Sequence, residues 1–185
     1  MTFTLNEAFG ARVIAGRTGV LLNNEMDDFT KKIGEPNKFK LVQGLANQIE
    51  PGKRPLSSMT PTIVTKNGEV VMILGTPGGS RIITAVLQTL INVIDFDMNI
   101  QEAVDAPRFH HQWLPDQVIA EPNAFSKDTF QLLSDWGYNI VPSGHSNHLA
   151  AIYVNQVNNS KRSLFLKRFS GANDSRSRSG QALGY

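Results

Sequence analysis

The chain is 185 residues long, 41% hydrophobic and 18% charged, with a formal net charge of +2. That length supports one sizeable core and is short for two, so a single unit over 1–185 is expected. The absence of cysteine excludes disulfides, thiolate metal sites and a cysteine nucleophile. Basic residues are scattered, apart from Lys161-Arg162, Lys167-Arg168 and Arg176/Arg178 near the end, so no nucleic-acid partner is expected. Without a charged-then-apolar leader or an apolar run of spanning length, no membrane contact is expected from this segment either.

In chain order, Met1-Thr2-Phe3-Thr4-Leu5 alternates apolar with small polar residues, the pattern of a half-buried strand already under way. Val20-Leu21-Leu22 reads as a short buried strand. It runs into Asn23-Asn24-Glu25-Met26-Asp27-Asp28-Phe29, whose amides and carboxylates favour turns over a helix interior. Residues 33–52 carry Gly34, Pro36, Gly44, Pro51 and Gly52 with little apolar periodicity, which predicts a long loop of the lid type. Residues 62–65 and 70–74 are β-rich and joined through Lys66-Asn67-Gly68-Glu69, where Asn-Gly supplies the positive φ angles of a tight hairpin.

After Gly78-Gly79, Ile82, Ile83, Val86, Leu87, Leu90, Ile91 and Ile94 recur at three- and four-residue steps, which predicts a long amphipathic helix with Ser80 near its start. Asn99 and Glu102 have capping-box spacing ahead of a short helix that Pro107 stops. Ser126 caps a further helix carrying Phe130, Leu133 and Trp136 before Gly137. Strands near 117–120, 149–154 and 163–169 complete an α+β pattern. The small polar residues of 171–180 predict a mobile tail.

Two segments carry chemistry. Arg54-Pro55-Leu56-Ser57-Ser58-Met59 offers adjacent hydroxyls on a kinked approach. Gly75-Thr76-Pro77-Gly78-Gly79-Ser80 places two residues without side chains at a helix mouth, where backbone N–H groups can face an anion or oxyanion. This is an acyl-transfer layout with no residue obviously placed to be the nucleophile. Each segment has a plainer explanation: a glycine pair before a helix is commonly a simple turn, and serine pairs are commonly caps or surface hydroxyls. Asn24, Glu25 and Asp28 fit a solvated turn, or a pocket that favours a substrate ammonium. His110-His111 are adjacent on an extended segment and so point to opposite faces, which makes them a poor metal pair; His145 and His148 fare no better. No metal or cofactor is expected.

The order of five blocks is more specific than any one of them: Thr4-Leu5-Asn6; 22–29; Lys53-Arg54-Pro55-Leu56-Ser57-Ser58-Met59; Pro77-Gly78-Gly79-Ser80-Arg81-Ile82-Ile83; and Ala106-Pro107-Arg108-Phe109-His110-His111-Gln112-Trp113-Leu114-Pro115. In register, they strongly resemble the small, C-terminal subunit of γ-glutamyltranspeptidase, an N-terminal-nucleophile hydrolase. The resemblance runs from Met1 to about Ile140 and returns in Ala172-Asn173-Asp174-Ser175-Arg176. It implies an α+β fold, the four-layer α/β/β/α sandwich, incomplete in this chain. It also implies a large subunit cleaved from the same precursor, glutathione or another γ-glutamyl compound as donor, transfer to amino acids, peptides or water, and a periplasmic or extracellular location.

By position, the resemblance implies that Thr4 orients the family's threonine nucleophile. Asn6, Glu25 and Asp28 hold the donor's α-amino end, Ser57 and Ser58 bind its α-carboxylate, Gly78 and Gly79 form the oxyanion hole, and 33–44 is the lid. Three departures stand out. The nucleophilic threonine and its strand have no counterpart here, so this segment alone is expected to be inactive. Thr2, freed by loss of Met1, would pair an amine with a hydroxyl but lies on the same strand face as Thr4, in the wrong register. Phe39 stands where many relatives have a tyrosine, which removes a hydroxyl that could close the lid toward Asn6. Asp174-Ser175-Arg176 replaces Asp-Pro-Arg and loses a rigid turn. The alternatives are an acylase for another acyl group, a poly-γ-glutamate-cleaving enzyme, or a non-catalytic binding protein. The combination of Asn6, Glu25 and Asp28 favours γ-glutamyl.

Overall fold

The computed structural model describes residues 3–144, 147–155, 169–178 and 180–183. Its first regular pair is the predicted hairpin, β1 (Thr62–Lys66) and β2 (Glu69–Gly75), closed by the Lys66↔Glu69 pair. Asn67 and Gly68 turn it at φ 54° and 84°, the left-handed pair that matches strand twist. Helix α1 (Arg81–Ile94) follows and buries Ile82, Ala85, Val86 and Thr89. Helix α2 (Ile100–Asp105) opens on a complete capping box: the Asn99 side chain accepts from the N–H groups of Gln101 and Glu102, and the Glu102 carboxylate accepts from the N–H of Asn99. Then come β3 (Phe109–His110), β4 (Val118–Ala120), α3 (Lys127–Asp135) capped by Ser126, β5 (Ile140–Pro142), β6 (Ala150–Val154) and β7 (Phe169–Asn173).

Two sheets result. The larger is antiparallel in the order β1-β2-β6-β7. The smaller has β4 between antiparallel β3 and parallel β5. The core lies between one face of the larger sheet, through Met72, Leu74, Ala151 and Ala172, and the helices, through Ile82, Ala85, Val86, Ile100 and Val104. The opposite sheet face is also apolar. Ile63, Ile73 and Ile152 stand in register across three strands and remain 65%, 42% and 44% exposed. The chain thus supplies a helix layer and a sheet layer of an α/β/β/α sandwich, with the face for a second sheet uncovered.

Three expectations fail. Residues 3–5 form no strand, because no neighbouring strand among the described residues offers them a ladder; Leu5 C=O instead accepts from Asn24 N–H at 3.1 Å. Met1 and Thr2, and with them the register of Thr2, lie outside the described residues. Residues 20–22 are not a buried strand: Val20 and Leu22 are exposed, and Leu21 makes a single bridge to Ile14. The tail is not mobile through 171–178, since β7 includes Gly171 and Asp174 is fully buried. Asp174 binds Arg108 at 2.6 Å and Arg176 at 3.0 Å, and Arg176 also reaches Glu121 at 2.6 Å. The lost proline turn is compensated: Ser175 N–H donates to Asp105 Oδ1 at 3.0 Å, a bond that proline lacks the hydrogen to make. Of the strand expected over 163–169, residues 163–168 lie outside the described residues, as do Lys161-Arg162 and His145. Strands β3 and β5, two and three residues long, carry too little pattern to be predicted.

Candidate active site

The acidic residues sit on one turn. Residues Glu25–Asp28 form a 3-10 helix, a short tight element suited to a segment whose side chains compete with its backbone. Thr4 and Asn6 are tied to it. Thr4 Oγ1 accepts from Asn6 N–H at 2.8 Å, Asn6 Nδ2 donates to Asn24 C=O at 3.1 Å, and Glu7 N–H donates to Asn24 Oδ1 at 3.0 Å. Asn6 itself sits at φ 69°, a left-handed position that asparagine tolerates. Thr4 therefore reaches the site through a turn rather than from a strand.

The three carboxylates of the turn differ. At Asp27, burial alone would raise the pKa, but the Lys31 ammonium and the Lys38 N–H outweigh it and hold the group below its ordinary value. Asp28 has no such partner among the described residues. Burial, then the facing Glu25 carboxyl, then Asp27 push it up from 3.8 to about 6. The Glu25 carboxyl faces Asp28, and Glu25 Oε1 is buried with no hydrogen-bond partner among the described residues. Two neighbouring half-buried carboxylates repel each other when both are ionised, and a nearby positive charge relieves that repulsion.

Ser57 and Ser58 lie on a segment with no regular secondary structure, and Asn47 locks that segment to the acidic turn. Its Nδ2 donates to Asp28 C=O at 2.7 Å, while its Oδ1 accepts from Leu56 N–H at 2.8 Å. Ser57 is exposed and its Oγ accepts from Met59 N–H at 3.2 Å; Ser58 is half-buried. Asn47 was not predicted. It sits in an aperiodic loop, where nothing in the local sequence signals a long-range bond.

Gly78 and Gly79 take φ 142° and 59°, which side-chain-bearing residues rarely adopt. A Cβ on Gly78 would strike the Asn147 amide, and one on Gly79 would strike the Phe39 ring. Their carbonyls start α1, accepting from Arg81 N–H at 3.3 Å and Ile82 N–H at 3.1 Å. Their own N–H groups donate to nothing among the described residues.

The segment expected to form the lid, 33–44, spans from the acidic turn to these glycines. Asn37 Oδ1 braces its tip by accepting from Phe39 and Leu41 N–H, both at 3.0 Å. Lys38 N–H donates to Asp27 Oδ2 at 3.0 Å and the Lys38 ammonium pairs with Glu7. Phe39 reaches Gly79 although it has no hydroxyl to offer Asn6. His110 is buried against Thr84 and Gln112, and His111 faces Asp116 at 3.0 Å.

Helices thus cover one side of an antiparallel sheet whose other face is apolar and open, half of an α/β/β/α sandwich, with a glycine pair leading into the first helix. The family model for γ-glutamyltranspeptidase matches residues 1–185, and the chain belongs to that family. It is 57% identical to the glutathione hydrolase proenzyme of Pseudomonas sp. (strain A14) over all 185 residues, which is 32% of that protein. It is 55% identical over 140 residues to the glutathione hydrolase proenzyme of Escherichia coli (strain K12), covering 76% of this chain and 24% of that one. Among solved structures, the T380A mutant of Helicobacter pylori γ-glutamyltranspeptidase superposes with a TM-score of 0.88 at 48% identity. The match covers 96% of this chain and 92% of the matched one. The chain thus spans about a third of its curated relative, and the likeness extends past Ile140, where the motifs thin out, to the last residue.

Proposed function

We propose that the chain is the small-subunit portion of a γ-glutamyltransferase and glutathione hydrolase, working with a large subunit from the same precursor and a threonine nucleophile outside the blocks found here. In this reading Asn6, Glu25 and Asp28 bind the donor's α-ammonium and Ser57 and Ser58 its α-carboxylate. The Gly78 and Gly79 N–H groups receive the carbonyl oxygen as it becomes an oxyanion, and Thr4 orients the nucleophile. The lid excludes water while the γ-glutamyl group is carried to an amino acid, a peptide or water.

One observation carries this reading: the Glu25 and Asp28 carboxylates are pressed together and under-partnered, which favours an ammonium donor over a glutaryl-type one. The assembled enzyme tests it with two anilides that differ only in the α-amine. γ-Glutamyl-p-nitroanilide is expected to be cleaved far faster than glutaryl-p-nitroanilide, and Asp28→Asn should erase most of that preference by raising KM for the first. Equal cleavage of both by the unaltered enzyme would favour the acylase alternative.

A further inference from the structure

Gln112 lies just beyond β3, and both ends of its side-chain amide are used. Oε1 accepts from Ser80 Oγ–H at 2.6 Å and from His110 Nε2–H at 2.9 Å; Nε2 donates to the carbonyls of Phe39 and Leu114, each at 3.0 Å. Turning the amide over would set its oxygen against two carbonyl oxygens, so the neighbours dictate its orientation. Accepting from His110 also fixes that ring: Nε2 carries the hydrogen, and Nδ1 faces Thr84 Oγ1 at 2.9 Å. Burial lowers the His110 pKa from its ordinary value, with a smaller push from Arg81 and His111, against the Gln112 hydrogen bond, which alone would raise it.

The partners matter more than the number of bonds. Phe39 is the lid residue whose ring rests on Gly79, and Ser80 is the residue directly after Gly79. Ser80 stands at the N-cap of α1, yet its hydroxyl makes no capping bond and goes to Gln112 instead. One amide therefore joins the lid backbone to the shoulder of the glycine turn, 73 residues away in sequence from Phe39 and 32 from Ser80. Because the lid is gripped by a carbonyl, the grip does not depend on which aromatic residue stands at 39.

We propose that Gln112 is a positioning residue that clamps the lid at Phe39 against the Gly78-Gly79 turn. The catalytic consequence rests on the assignment of those glycines to the oxyanion; the clamp itself does not. Two variants separate the bonds. Gln112→Glu keeps the acceptor toward Ser80 and His110 but faces the Phe39 and Leu114 carbonyls with a carboxylate. Gln112→Met keeps the volume and removes all four bonds.

Hydrogen exchange on the assembled enzyme without substrate should show the lid amides over 33–44 exchanging about tenfold faster in both variants, with the β2 and β6 amides unchanged. KM for γ-glutamyl-p-nitroanilide should rise severalfold with kcat nearly constant, since the clamp closes the site rather than touching the reacting atoms. Unchanged lid exchange in both variants would overturn the clamp. Faster exchange spread through the sheet would also overturn it, by showing a general structural role. Faster lid exchange with unaltered KM and kcat would leave the clamp standing and remove the catalytic reading of the lid and glycines.

Discussion

Asp28 is the residue where structure and chemistry pull apart. Its folded pKa, about 6, exceeds the unfolded 3.8, so the protonated form is favoured in the fold. Stability from this group is complete below pH 4 and is lost as pH rises through 6. Asp28→Asn removes the charge that costs the fold. The unliganded protein should therefore gain about 1 kcal/mol at pH 7.5, after allowance for solvent around a half-exposed group, and nothing at pH 3.5. Thermal melts at the two pH values check this. Ser57 and Ser58 present the complementary case, since their value lies in bound donor. Ser57→Ala with Ser58→Ala in the assembled enzyme should lower kcat/KM for γ-glutamyl-p-nitroanilide by roughly 10²–10⁴, because each hydrogen bond to a carboxylate contributes about 1.5–3 kcal/mol. Near-normal kcat/KM would end the carboxylate assignment.

Elements meet at the lid. Its tip is braced internally by Asn37, tied on one side to Asp27 through Lys38, and on the other rests on Gly79 through Phe39. Gly79 permits that contact twice over, by a φ of 59° and by the absence of a Cβ. Gly79→Ala strains the backbone and displaces the Phe39 ring together. The expected result is preferential protease cleavage within 33–44 in a protein whose β1-β2 hairpin and helices persist by circular dichroism. A cleavage pattern identical to that of the parent would show that the lid does not depend on Gly79. Asn47 does the same work behind the lid, holding the serine segment to the acidic turn through Leu56 N–H and Asp28 C=O.

On the scale of the whole molecule, the C-terminal segment is a bolt. Asp174 is fully buried between Arg108 and Arg176, and Arg176 continues to Glu121. Burial alone would raise the Asp174 pKa, but the Leu149 N–H and the two guanidinium groups outweigh it and hold it low. The stability it contributes is present above its unfolded value of 3.8 and is lost as pH falls below that, which makes the cluster an acid-labile lock. Asp174→Asn takes the carboxylate from buried Arg108 and leaves Arg176 with Glu121, and should cost about 3–5 kcal/mol in urea unfolding at pH 7, far more than a surface substitution. The open isoleucine face makes a separate prediction. As an isolated 185-residue polypeptide, the protein should self-associate in sedimentation velocity through Ile63, Ile73 and Ile152. Threonine at all three positions should restore monomer. Association unchanged by the triple substitution would place the contact elsewhere.

The hairpin at Asn67-Gly68, the 3.6-residue periodicity of α1, the capping box at Asn99 and the cap at Ser126 were all legible in the sequence, because each is set by backbone preferences acting within a few residues. Glu25, Asp28, the serines and the glycines were singled out by their short local motifs and by the resemblance those motifs carry in order. What the sequence alone could not show is what depends on contacts between distant segments. Residues 3–5 have strand alternation but no described partner strand, and 171–178 looks flexible until Arg108, Arg176 and Glu121 close around Asp174. The raised pKa of Asp28 needs Glu25 and burial together, and the bonds of Asn47 and Gln112 run across 19 and 73 residues. Such pairings follow from chain topology, and a polar side chain in an aperiodic loop carries no record of its partner until the chain has folded around it.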